Sequence, residues 1–244
     1  MSGKHLFALH TSALPTPIAA GSSLHLPNEE LWRRLTQVLR LEEGESVILF
    51  DDAVAVEVTL TTGKKNVVVG RVTRAHPVQA RAPELHLLVG LTKREAFEHI
   101  LYSAAQFGVT RITPLLTERI HRPWFTASLL SRLESIMVAG CEQAKQFARP
   151  RLDLPIPLAQ AATPHAGHTL LAEPAGAPLL STLHLLADAP AAVRVFIGPE
   201  GGFSTAEENL LKGLHHTAVA LGPSILRTQD AVQLLVGAVR SLNV

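Results

Sequence analysis

With one cysteine, Cys141, in 244 residues, the chain has no partner for an internal disulfide and no thiolate set for a structural zinc site. Cys141 lies in an apolar helical segment and reads as a core residue. Long apolar runs are also missing: nothing approaches the ~18 uninterrupted apolar residues of a membrane span. The opening Met1-Ser2-Gly3-Lys4-His5 lacks the apolar core of a secretion signal, so the expected location is the cytoplasm, away from membranes. Neither phosphate fingerprint is present, which argues against a kinase or a nucleotide-dependent oxidoreductase of conventional α/β fold. Histidines are plentiful, at 12, but His165 with His168, and His215 with His216, lack the spacing of metal sites, so no metal is expected. The formal net charge of +1 excludes little, because an enzyme acting on nucleic acid needs only a local basic face. With 47% hydrophobic and 18% charged residues, the chain is globular, not disordered or fibrous.

Its length suits one large domain or a small one plus a medium one, and the residue patterns favour the second. Short strand-like runs over 46–50, 55–60 and 67–72, separated by turn formers, predict a small barrel over residues 1–75. One helix interrupts it over 29–39, with Leu31, Leu35, Val38 and Leu39 on a 3.6-residue stripe. Prolines and small polar residues over 75–83 predict a linker. From residue 84 to 244 strands and helices alternate, the pattern of a parallel sheet covered by helices. Strands are expected over 85–91, 109–116, 169–172, 193–197 and 218–221. Helices are expected over 93–107, 128–147, 179–186, from Ser204, and over 228–242. Ser204 with Glu207 forms a capping box at the start of one helix.

Two segments combine glycine, proline and a following helix. Ile197-Gly198-Pro199-Glu200-Gly201-Gly202-Phe203-Ser204 joins a buried strand to the capped helix, at the carboxyl end where parallel sheets bind ligands. Its glycines allow positive φ and close approach of a ligand to the backbone, though they equally suit a tight structural turn. Leu221-Gly222-Pro223-Ser224-Ile225-Leu226-Arg227-Thr228 has the same layout, with Arg227 directly before an expected N-cap. A guanidinium there can meet an anionic partner, although surface arginine is the commoner fate.

Together the two loops closely resemble the RsmE family of small-subunit rRNA uridine-N3 methyltransferases. The similarity extends to Val38-Leu39-Arg40-Leu41, Gly44 and Leu49-Phe50-Asp51 in the amino-terminal part. Further on it takes in Phe107-Gly108-Val109, Ile112-Thr113-Pro114-Leu115, Glu118-Arg119 and Cys141-Glu142-Gln143. The resemblance implies an α/β SPOUT catalytic domain with a carboxy-terminal trefoil knot, preceded by a PUA-like β-barrel that binds RNA. It also implies a homodimer that uses S-adenosyl-L-methionine and acts on small-subunit ribosomal RNA or the assembled small subunit. By position, the cofactor falls to Leu171, Ala172, Glu173, Ile197, Gly198, Gly202, Leu221, Gly222, Ile225 and Leu226. Arg227 is the expected catalytic residue, stabilising the uracil anion or fixing a phosphate. Glu200 is either the base or a cap on local amides. Arg119, Arg122 and Lys145 are the expected RNA contacts.

The chain departs from the family pattern at several points. Ser224 replaces an arginine, Gln229-Asp230 a Glu-Thr pair, and Lys145-Gln146 a Gly-Arg pair. The run Thr92-Lys93-Arg94-Glu95-Ala96-Phe97 replaces a Lys-Gly-acidic-basic-Met run. These departures sustain a second reading, a knotted RNA-binding protein with an altered RNA target or without catalysis.

Overall fold

A computed structural model describes residues 6–120, 124–186 and 191–242. The chain forms two compact units, Met1–Gln79 and Ala80–Val244. In the first, strands β1 (Phe7–His10), β2 (Ser23–Pro27), β3 (Ser46–Phe50), β4 (Val54–Leu60) and β5 (Val67–Pro77) form a barrel-like sheet in the order β1-β3-β4-β5-β2. β1 runs parallel to β3, and the other pairs are antiparallel. Alternate residues of the central strands, Val47, Leu49, Val56, Val58, Val68 and Val72, bury one face against Leu31 and Leu35. Asp51 caps the β3–β4 turn: its Oδ1 accepts from the amides of Ala53 and Val54, and its Oδ2 from that of Leu14. Burial pushes this carboxyl up, but the three amide bonds outweigh it and hold the group below the usual carboxylate range.

The amino-terminal unit departs from the sequence pattern at two points. The helix expected over 29–39 is α-helical only over Glu29–Arg33 (α1) and continues as a π-helical turn over Arg34–Val38. The wider turn rotates the stripe, leaving Leu31 and Leu35 buried and Val38 64% exposed. The prolines at the expected linker do not end the preceding strand, because β5 pairs with β4 as far as Pro77↔Val54. A bulge at Thr73, whose hydroxyl donates to the Glu57 carbonyl, carries the strand on.

In the second unit the strands are β6 (Glu84–Gly90), β7 (Arg111–Leu116), β8 (Arg151–Leu152), β9 (Ile156–Pro157), β10 (His168–Pro178), β11 (Ala192–Ile197) and β12 (Thr217–Ala220). They lie in the order β12-β10-β11-β6-β7-β8, with β9 also on β7, and every pairing is parallel. The helices are α2 (Arg94–Gln106), α3 (Leu130–Ala144), α4 (Leu158–Ala161), α5 (Leu179–Thr182), α6 (Thr205–Lys212) and α7 (Thr228–Ser241). The expected stripes are buried: Phe97, Ile100, Leu101 and Ala104 on α2, and Val232, Leu235, Val236 and Val239 on α7. Gly108, at φ +70°, stops the chain after α2. The opposite sheet face packs Leu88, Leu115, Leu171 and Phe196 against Leu158, Ala161, Phe203 and Leu211 of α4, α6 and the loop before α6.

β11 is inserted between β10 and β6, after the chain has already built the sheet outward through β7, β8 and β9. The sheet therefore changes direction around β11, and the carboxyl ends of β10, β11 and β12 come together at the place where such sheets hold ligands. No helix among the described residues is long and apolar enough to cross a membrane.

Candidate active site

The two glycine-proline loops face each other across a cavity of about 270 Å³. The first loop is tightly braced. Gly202 takes φ +68°, its amide donates to the Pro199 carbonyl at 2.8 Å, and Pro199 is buried against Gly90 at the end of β6. A Cβ on Gly90 would stand 2.4 Å from both N and Cδ of Pro199, so only glycine lets the loop close onto the sheet. The capping box forms as the sequence predicts: Ser204 Oγ accepts from the Glu207 amide, and Glu207 Oε2 accepts from the Ser204 amide at 2.8 Å. The other oxygen, Oε1, accepts from the Glu118 amide at 2.8 Å. Next to it, Arg119 donates from Nη1 to the Gly201 carbonyl at 2.9 Å. The segment after β7 thus holds the loop after β11 through one buried carboxylate and one exposed guanidinium.

The second loop is open. Gly222 has φ +155°, and beyond its two chain neighbours no atom of the described residues lies within 4 Å of the position its Cβ would occupy. Among the described residues, the amides of Gly222, Ser224, Ile225 and Leu226 donate to no other residue, and Ile225 is 89% exposed. This loop offers unmet main-chain groups to a ligand. Its far end is fixed by Thr228, whose hydroxyl donates to the Gly198 carbonyl at 3.0 Å and ties the two loops together. A register shift in β10 between Ala172 and Ala177 lets the strand bow out, and Glu173 and Pro174 line the third wall.

Leu171, Ala172, Glu173, Ile197, Gly198, Gly202, Leu221, Gly222, Ile225 and Leu226 all line the cavity, as do Glu200, Arg119 and Ser224. Glu200 is exposed and its carboxylate bonds to no described residue, so it caps no local amide; Glu207 does that. Arg227 is exposed, lies outside the lining, and is itself the N-cap position of α7. The N-cap expected at Thr228 moves back one residue because the Thr228 side chain is turned to Gly198. Lys145 sits elsewhere, at φ 53° beyond α3, where the adjacent Gln146 packs on Gly108 at the amino end of β7. Arg122 lies outside the described residues. Gly90, Thr228 and the second bond of Glu207 escape sequence reasoning, since each acts across segments distant in the chain. A glycine closing an apolar strand is the one local signal among them. No group of three His, Cys, Asp or Glu side chains among the described residues could hold a metal ion.

The cavity suits S-adenosyl-L-methionine: bare main-chain groups for a base and ribose, and apolar walls from Leu171, Ile197, Phe203 and Val219. Carboxylates of Glu173, Glu200 and Glu208 suit its positive charge, and Arg119 and Lys212 its carboxylate.

The chain is similar to known proteins in sequence and in fold. The family model for the RNA methyltransferase domain matches residues 80–240. The Ribosomal RNA small subunit methyltransferase E of Rickettsia conorii is 25% identical over 230 residues, covering 93% of each chain. That of Synechocystis is 29% identical over 161 residues, covering 64% of this chain and 52% of the relative. The crystal structure of a Ribosomal RNA small subunit methyltransferase E from Neisseria gonorrhoeae, bound to S-adenosyl methionine, superposes with a TM-score of 0.81 at 26% identity over 98% of both chains. A Legionella pneumophila protein in complex with the same cofactor gives 0.79 at 27%, again over 98% of both. The chain belongs to the RNA methyltransferase family, on the SPOUT fold and with the RsmE pattern carried by its two loops.

Proposed function

We propose that this protein transfers a methyl group from S-adenosyl-L-methionine to N3 of a specific uridine in small-subunit ribosomal RNA, acting as a cytoplasmic homodimer. The single observation that carries the reading is the cavity between the two loops. One wall is braced by Glu207, Arg119 and Gly90, and the other presents the unmet amides of Gly222, Ser224, Ile225 and Leu226. When bound there, the cofactor supplies a sulfonium-borne methyl group to a nucleophile placed in line with its bond to sulfur.

The chain's residues do the rest. Gly198, Gly202, Gly222 and Leu226 line the space for the cofactor, and Thr228 keeps the two loops at a fixed separation. Uracil N3 carries a proton that must leave before the nitrogen can attack. Glu200, at the cavity with no internal bond, is placed to accept that proton. Arg227, exposed just outside the lining, is placed to meet the substrate's developing negative charge or its phosphate. Arg119 combines two roles, bracing Gly201 and offering charge to the RNA. The barrel-like amino-terminal unit contributes further RNA binding.

Calorimetry with S-adenosyl-L-methionine, NAD and ATP tests the cofactor; only the first should bind. Arg227→Ala should reduce turnover roughly a hundredfold with cofactor affinity nearly unchanged. Unchanged turnover refutes its role, and cofactor and RNA binding without methyl transfer by the wild type supports the RNA-binding reading instead.

A further inference from the structure

A second cavity, of about 320 Å³, opens on the same sheet face but toward the amino ends of the strands. Helices α4 and α6 cover the apolar part of this face, where Leu171, Phe196 and Leu88 lie in paired positions. One step back along the strands the pairing brings together Thr169, Arg194, His86, Arg111 and Arg151, on β10, β11, β6, β7 and β8. Paired positions share a face, so three arginines and a histidine form one cross-strand row. Within the row Arg111 and Arg151 stand directly opposite each other, where like charges repel.

The compensation is lopsided. Asp153 takes up two of the arginines: its Oδ2 accepts from Arg111 Nε at 2.6 Å and from the Thr113 hydroxyl at 2.5 Å, and its Oδ1 lies 3.2 Å from Arg151 Nε. With its one proton given to Asp153, Thr113 Oγ1 can only accept from His86 Nε2, 2.7 Å away, which assigns the neutral histidine's proton to Nε2. Among the described residues, Arg194 has no such partner. It is 6% exposed and lies over the Phe196 ring. Its Nη2 donates to the Thr163 carbonyl at 2.7 Å, but its buried Nε has no acceptor and its Nη1 bonds to no described residue. Glu84, at the cavity mouth, makes no ion pair with it. A buried cation without a counter-charge is costly, and Arg194, which pairs with no carboxylate among the described residues, lines an open cavity. The positive field registers on the neighbouring imidazoles: burial, then Arg111 and Arg194, push His86 down, and burial, then Arg194, lower His165.

We propose that this cavity is a second ligand site, separate from the one between the glycine loops, that binds the oxyanion head of a small phosphorylated or carboxylated molecule on Arg194. His165 and Gln160 line its mouth. Bound oxyanion supplies the charge that Asp153 cannot. The site does not depend on the methyl-transfer reading, and calorimetry of S-adenosyl-L-methionine tests that reading separately.

The direct test follows the ring signals of His86 and His165 by NMR in the full chain, during titration with inorganic phosphate, with acetate, and with sodium chloride at matched ionic strength. Saturable shifts at millimolar phosphate or acetate, with the His86 pKa raised by about one unit or more, are expected. The stronger of the two anions identifies the head group. Arg194→Gln and His165→Glu should each weaken binding at least tenfold. The second change lies on an exposed residue and reports even if the first fails to fold. Shifts that follow ionic strength alone, or that persist in His165→Glu, overturn the proposal. So does a short oligoribonucleotide that occupies the cavity more tightly than free phosphate, which would make the cavity part of the RNA surface.

Discussion

Glu207 shows how much one side chain does here: buried to 5% exposure, it closes a capping box with one oxygen and holds the segment after β7 with the other. The sequence reveals the first bond, because Ser204 and Glu207 stand at capping-box spacing. It is silent on the second, since Glu118 is remote in the chain. The same divide applies to His86, an ordinary residue in an apolar strand by sequence. In the fold it is pushed from 6.5 down to about 4 by burial, Arg111, Arg194 and His165, against an opposing pull from Asp153. Its folded form is neutral where the unfolded chain is protonated, so stability rises with pH between about 4 and 6.5 and is lost as pH falls through that window. The full effect is on the order of 3 kcal/mol. Denaturant melts from pH 7 to pH 4 should show this slope in the wild type and a flatter one in His86→Gln. Equal slopes would remove His86 as its source.

At the scale of elements, the long helices and buried strands are legible because their periodicity is local. Phe97, Ile100, Leu101 and Ala104 announce α2, and the apolar run over 85–91 announces β6. The two-residue strands β8 and β9 carry too few residues for a pattern, and the π-helical turn after α1 leaves no mark in composition. Both loops are visible in the sequence, but their mutual bracing is not. Gly90→Ala tests that bracing. A Cβ there meets Pro199 backbone and ring, neither of which can yield, so the loop must shift and methyl transfer should fall about a hundredfold in kcat/KM. A variant with wild-type kcat/KM would show that the Gly90–Pro199 contact is dispensable. Thr228→Val removes one hydrogen bond and should lower stability by about 1 kcal/mol while weakening cofactor binding; Thr228→Ser should keep both.

Across the whole molecule, the position of β11 between β10 and β6 decides where the site lies, and no window of sequence carries that information. It follows from which strand pairs with which after the chain has doubled back, so only the family resemblance, never the periodicity, could suggest it. The proposed homodimer has a surface to draw on: Leu234 and Leu242, at the outward side and end of α7, are 42% and 37% exposed. Light scattering after gel filtration should give twice the chain mass, and Leu234→Glu should shift it to monomer; a monomeric wild type rules the dimer out. The central claim is methyl transfer to one uridine from a cofactor held between the two glycine loops. It is tested most directly by incubating the protein with methyl-labelled S-adenosyl-L-methionine and small-subunit ribosomal RNA or subunits, then mapping the label by mass spectrometry. Label is expected on N3 of a single uridine, strongly reduced in Arg227→Ala. Label on another base, or none on RNA while the cofactor binds, would contradict it.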